Sequence, residues 1–244
     1  MTPSHAAAHL QVLGPVSVRR PDSAHAVTLL TQPRRLAVLA YLMLARPRGF
    51  QSRDTIVALL WPDASPVHGR HDLRNALHAI RQSLGEDVIV RAGDSLVAID
   101  QLRVGCDALL MEADLAADRP DDALARYEGE LLQGFHVSGA PAFERWVDVE
   151  RTRLAAGAVG AASSSAERHL GRGDVTGALR LARHACALAP DDERVFRRLL
   201  RMLMDAGDVA AAARAYDLFA RRLRTDFGSA PAGETRAIVG EASR

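Results

Sequence analysis

Lysine is absent from all 244 residues, and every one of the 31 basic side chains is arginine. A phosphate-binding loop that ends in Gly-Lys-Ser/Thr is therefore excluded, as is any Schiff-base lysine. Cysteine is nearly absent too. Cys106 and Cys186 stand alone, too few for a disulfide framework and not at metal-ligand spacing, which points to a reducing compartment. The nine histidines form no HExxH pair, so neither a metal nor a cofactor is expected. Long apolar runs are also missing. The longest, Leu36 to Ala45, is ten residues, about half of what a membrane-spanning helix needs. The opening MTPSHAAAHL has no basic stretch ahead of an apolar one, so no signal peptide is read and a cytoplasmic protein is expected. Paired acids occur at Asp121-Asp122 and Asp191-Asp192, where helices begin and carboxylates serve as caps. Ser163 to Ser165 have no neighbouring base motif. No catalytic constellation emerges, and an enzyme is not expected.

What is present is globular: 48% hydrophobic and 25% charged residues with a net charge of +1. So small a net charge does not suit a protein that coats nucleic acid indiscriminately. The charge is nevertheless uneven. Residues 1–100 carry 11 arginines against 8 acids, and residues 101–244 carry 20 against 22.

The chain opens with alternating apolar residues from Leu10 to Val18, broken by Gly14-Pro15, and Val27 to Leu30 reads as a second strand. A helix follows over Pro33 to Ala45, apolar nearly all round and so expected at the centre of its domain. Ser52 is placed to cap a second helix whose core face is Ile56, Leu59, Leu60 and Trp61, with Pro62 as its stop. A third helix spans GRHDLRNALHAIRQSLG, Gly69 to Gly85. Asp87 to Arg91 and Ser95 to Ile99 then form a hairpin through Ala92-Gly93-Asp94. Two helices joined by a loop, with a hairpin directly behind, make a winged helix-turn-helix.

The third helix has two unlike faces. At about 100° per residue, Leu73, Leu77, Ile80 and Leu84 fall on one side as a core stripe. His71, Arg74, Asn75, His78 and Gln82 fall on the other, with Arg81 at its edge. A solvated face would mix glutamate with its arginine; this one offers hydrogen-bond donors.

From about Val104 the sequence turns helical and alanine-rich. Helices are expected over Asp121 to Leu132, over Ala142 to Leu154 and beyond Ala161, with Gly157, Gly160 and Ser163 to Ser165 making a poor helix between. Gly173-Asp174-Val175 recurs as Gly207-Asp208-Val209, and Ala178 and Arg180 recur as Ala212 and Arg214, an offset of 34 residues. That is the period of tetratricopeptide helix pairs. The expected architecture is an α+β winged helix-turn-helix over residues 1–103, followed by an all-α, tetratricopeptide-like domain over 104–244.

The segments LQVLGPVSV, QPRRLAVLAYLML, SRDTIVALLWPD and LRNALHAIRQSLGED resemble the DNA-binding half of the bacterial antibiotic regulatory protein (SARP) family. RYEGELLQGF, FERWVDVERTRL, PDDERVFRRLLRMLMDAGD and AARAYDLFARRLRTDFGSAPAGET resemble the bacterial transcriptional activator domain that follows it. The resemblance covers roughly residues 9–240, with the motifs in order. It implies a regulator that binds double-stranded promoter DNA, often as a dimer on direct repeats, and contacts RNA polymerase. The wing departs from the family pattern: where relatives often carry an aromatic, this chain has Ser95-Leu96.

On this reading the donor face enters the major groove, where arginine reads guanine and asparagine reads adenine, each with two hydrogen bonds. Arg74 and Asn75 sit mid-face, and His71, His78 and Gln82 reach bases or phosphates. Arg81 at the edge and Arg53 at the start of the second helix are suited to phosphate, Arg91 near the hairpin tip to the minor groove or flanking backbone, and Arg70 is a further DNA-contact candidate. The competing reading is an interaction scaffold whose winged helix binds protein.

Overall fold

Residues 8–19 and 31–241 are described in the computed structural model. The expected strand at Val27–Leu30 lies outside them. The apolar stretch around Gly14-Pro15 folds as two strands, β1 (Ala8–Gln11) and β2 (Ser17–Arg19), paired antiparallel. Helix α1 (Pro33–Leu44) follows with proline in its first turn, and every residue from Leu36 to Leu44 is buried. A helix apolar on all sides has only the interior to occupy.

The two-residue strand β3 (Gln51–Ser52) leads directly into α2 (Arg53–Leu60). Ile56, Leu60 and Trp61 face the core, while Leu59 is only half buried. Helix α3 runs over Pro66–Leu84, one turn earlier than its amphipathic stripe suggests. Its true start is Ser65-Pro66: the serine side chain accepts the His68 amide, and proline occupies the first helical position, where its missing N–H costs nothing. Leu73, Leu77, Ile80 and Leu84 are all buried, as the stripe requires. Gly69 faces α2, and a Cβ there would collide with the Val57 side chain.

The wing is β4 (Ile89–Ala92) and β5 (Leu96–Ile99), paired antiparallel with Ile89 opposite Ile99 and Ala92 opposite Leu96. Its loop, Gly93 to Ser95, turns on a left-handed glycine (φ 61°). Strand β3 pairs with β5 on the other side, giving the order β3-β5-β4. A further strand, β6 (Val104–Cys106), pairs parallel with β1 and makes a second sheet, β2-β1-β6.

Asp107 opens α4 (Asp107–Ala116) and locks this sheet. Its carboxylate is buried and accepts the amides of Val12, Leu13 and Ala108 at 2.8–3.0 Å. Beyond it the expected helix over Asp121–Leu132 shortens to α5 (Pro120–Ala125). The next residues give their backbone hydrogen bonds elsewhere: the Leu132 amide donates to Val12 and the Gly14 amide donates to Glu130. Leu131 also bridges Leu13.

The segment expected to be a poor helix is part of one 31-residue helix, α6 (Pro141–Gly171). Tertiary burial overrides weak propensity here. Ala158, Ala161, Ala162, Ser163, Ser165 and Ala166 are all buried, small side chains that let neighbouring backbones approach. The Ser165 hydroxyl also donates to Asp121 at 2.5 Å.

Contacts divide the chain into two compact units, one within residues 1–117 and 125–154, the other within 118–124 and 155–244. In the second, α7 (Val175–Leu188), α8 (Glu193–Asp205), α9 (Val209–Phe227) and α10 (Gly233–Glu241) follow α6. The 34-residue repeat is a repeated turn and cap. Asp174 accepts the Gly177 amide at the head of α7, and Asp208 accepts the Ala211 amide at the head of α9. Asp192 caps α8 in the same way. Phe196 and Phe219 stack at 4.1 Å inside this tetratricopeptide-like unit, against Leu199, Leu200 and Leu223.

Candidate nucleic-acid interface

The buried stripe of α3 fixes its rotation, and so its opposite face is fixed too. His71, Arg74, Asn75, His78 and Gln82 are all exposed on it. Among the described residues, none of Arg74, Arg81 and Arg91 makes an ion pair. Their guanidinium groups are therefore free of close ion-pair partners, with Glu86 acting on Arg81 only through space.

Four arginines from three elements gather around this face. Arg53 is half buried at the start of α2, and its guanidinium is pushed below its ordinary pKa by burial and then by Arg91 and Arg74, against the pull of Asp94. Arg81, half buried in the last turn of α3, is pushed the same way by burial and then by Arg91 and Arg53, against Glu86. Such mutual repulsion is unfavourable in isolation and is relieved when an anion arrives. Arg91 is exposed on β4 opposite Val97, one step below the wing loop.

Arg70 behaves differently from the sequence expectation. Its Nε and Nη2 donate to Asp54 at 3.0 and 3.3 Å, which holds its pKa above the ordinary value. Both partners are well exposed. Between α2, α3 and the wing loop lies a cleft of about 410 Å³, lined by Arg53, Arg70 and Arg74 together with Asp54, Asp94 and Ser95. The last three are residues that sequence reasoning missed as part of a site. Asp94 reads from sequence only as a turn residue; Asp54 meets Arg70 where α2 packs on α3, and Asp94 comes to Arg53 because the wing folds back toward α2.

The remaining conspicuous side chains belong to the core. Trp61 is buried at the end of α2, and Trp146 packs between Tyr41 and Phe143 at 5.1 and 5.4 Å. Burial pushes the Cys106 thiol up to about 12 and Cys186 up to about 11, so both stay protonated and unreactive. Among the described residues, no cluster of His, Cys, Asp or Glu could hold a metal ion, and no helix is long and apolar enough to cross a membrane.

Comparison with known proteins decides the family. The model of the bacterial transcriptional activator domain matches residues 93–241, more than half of the chain. The chain belongs to the bacterial transcriptional activator domain family. The match begins in the wing loop, so α1 to β4 lie ahead of it and β5 falls within it. Among solved structures, Mycobacterium tuberculosis EmbR in complex with a low affinity phosphopeptide shares the fold, with a TM-score of 0.69 at 20% identity. The match covers 98% of this chain and 65% of that one, so this activator-domain protein spans about two thirds of the EmbR chain. A search of the curated proteins gave no match.

Proposed function

We propose that this protein is a sequence-specific DNA-binding transcriptional activator that reads promoter DNA with α3. The observation that carries the reading is the donor face of that helix. Arg74 and Asn75 stand exposed and adjacent at its centre, with Arg53, Arg81 and Arg91 arrayed beside them. The major groove, about 12 Å wide, admits one α-helix. Arg74 suits guanine and Asn75 suits adenine; His71, His78 and Gln82 extend the readout along the groove. Arg53, Arg70, Arg81 and Arg91 take backbone phosphates, which position the helix without reading sequence.

The roles divide along the chain: DNA contact belongs to residues 1–103, and contact with RNA polymerase or a second copy of the chain to residues 104–244. The activator-domain family and the stacked helix pairs of the second unit support a partner-binding role for the C-terminal helices, although the family match begins at residue 93 and the first compact unit includes residues 104–117 and 125–154. The protein acts in the cytoplasm, where promoter DNA is found.

Selection from a randomised duplex library tests the reading. The full chain should enrich one motif, and Asn75→Ala should relax one position of it. Recovery of unselected duplexes only, or of none, would favour the interaction-scaffold reading.

A further inference from the structure

We propose that the cleft between α2, α3 and the wing loop seats one phosphate group of the DNA backbone, and that Asp54 holds that seat closed in the free protein. The inference rests on the DNA-binding reading above and names what one part of that surface does.

Three guanidinium groups, those of Arg53, Arg70 and Arg74, line a single cleft of about 410 Å³. At roughly 30 Å³ per water, this has room for a phosphodiester group with some of its hydration. The Arg53 Nε is buried within the protein and has no hydrogen-bond partner. A buried donor left unpaired is unfavourable and marks a place where an acceptor is missing. The first amide of α2, that of Arg53, already donates to the Ser95 carbonyl at 2.9 Å, so the guanidinium groups are the donors the cleft offers. Arginine forks match phosphate oxygens in pairs, which makes a phosphate oxygen the fitting acceptor.

Asp54 occupies the place of a competitor. Its two oxygens take Nε and Nη2 of Arg70, the same pair of donors a phosphate would use. The side chains are 62% and 68% exposed, so the pair is screened and easily opened. A phosphate entering beside Arg53 takes Arg70 from Asp54, and the carboxylate returns to water. Asp54 thus weakens binding to every duplex until the backbone is seated deeply enough to complete the exchange.

The test uses the full chain and a selected duplex in which backbone phosphates are replaced, one at a time, by uncharged methylphosphonates. One position should cost the wild type about tenfold in affinity. Arg53→Ala should lose a similar factor on the unmodified duplex and nothing more at that position. Asp54→Asn should tighten binding to cognate and scrambled duplexes alike and steepen the salt dependence by about one unit. In an Arg70→Ala background that gain should vanish. Inorganic phosphate at matched ionic strength should not displace the duplex; submillimolar competition would make the cleft a site for a free anion and overturn the backbone assignment. A duplex bound with no position special to Arg53, or a gain from Asp54→Asn that persists without Arg70, would overturn the seat and leave DNA binding standing. Failure to bind any duplex would overturn both.

Discussion

Arg48 grips Glu112 with its Nη2 2.7 Å from Oε2, joining the loop after α1 to the middle of α4. Arg46 reaches the same carboxylate at 2.8 Å, and Arg153, itself paired with Glu150, at 2.5 Å. One glutamate thus binds three arginines that come from the winged helix and from α6. Burial alone would raise the Glu112 pKa, but Arg48 and Arg153 outweigh it and hold the carboxyl below its ordinary 4.5. A carboxyl whose pKa is lowered on folding contributes stability that is fully present above its unfolded value and is lost as pH falls through the folded one. Wild type should therefore lose thermal stability below about pH 4.5 more steeply than Glu112→Gln. Unfolding midpoints measured between about pH 6 and about pH 3 check this. Parallel acid limbs would remove the network from the account.

Asp107 is the second point of attachment. Replacing it by alanine leaves the buried amides of Val12, Leu13 and Ala108 without an acceptor. The cost should be about 2–4 kcal/mol in urea unfolding, since each unmet buried group costs about 1–3 kcal/mol and some relaxation follows. Asp107→Asn retains one acceptor oxygen and should cost less.

The repeated caps of the helical unit predict matched effects. Asp174→Ala and Asp208→Ala each remove one side-chain acceptor from a helix start, and Asp174→Ala also frees His169, which sits 2.7 Å from it. Each should destabilise by about 1 kcal/mol, and the two should add within about 0.5 kcal/mol because the caps share no partner.

Much of this architecture is legible in the sequence where periodicity is strong. The stripe Leu73-Leu77-Ile80-Leu84 fixes the rotation of α3 and therefore the face that carries Arg74 and Asn75. The 34-residue offset between Gly173-Asp174 and Gly207-Asp208 marks two equivalent caps. What the sequence hides depends on contacts distant along the chain. Strands β3 and β6, of two and three residues, are too short for a period and exist because β5 and β1 accept them. The helix through Gly157, Gly160 and Ser163 to Ser165 defies propensity because Ala158, Ala161, Ala162, Ser163, Ser165 and Ala166 along it are buried. Asp94 reads as a turn residue, and its place beside Arg53 follows from the fold of the wing; Asp54 meets Arg70 only because α2 packs against α3.

Base readers and phosphate binders should separate experimentally. Leu77 is 2% exposed, so Leu77→Ala should lower stability by about 2–5 kcal/mol and weaken binding only as far as it unfolds the protein. Arg91→Ala, on the wing, should leave stability unchanged within about 0.5 kcal/mol while weakening binding. Parallel unfolding and binding curves for the two variants distinguish the cases.

The central claim is that α3 reads bases with Arg74 and Asn75 while Arg81 and Arg91 hold phosphates. Affinity measured against salt concentration, on the selected duplex and a scrambled one, tests it most directly. Arg74→Ala and Asn75→Ala should each cost about 1–3 kcal/mol on the selected duplex and little on the scrambled one. Arg81→Ala and Arg91→Ala should weaken both duplexes equally and reduce the salt slope by about one unit each. Equal losses on both duplexes for Asn75→Ala, with a changed base preference for Arg81→Ala, would contradict the account.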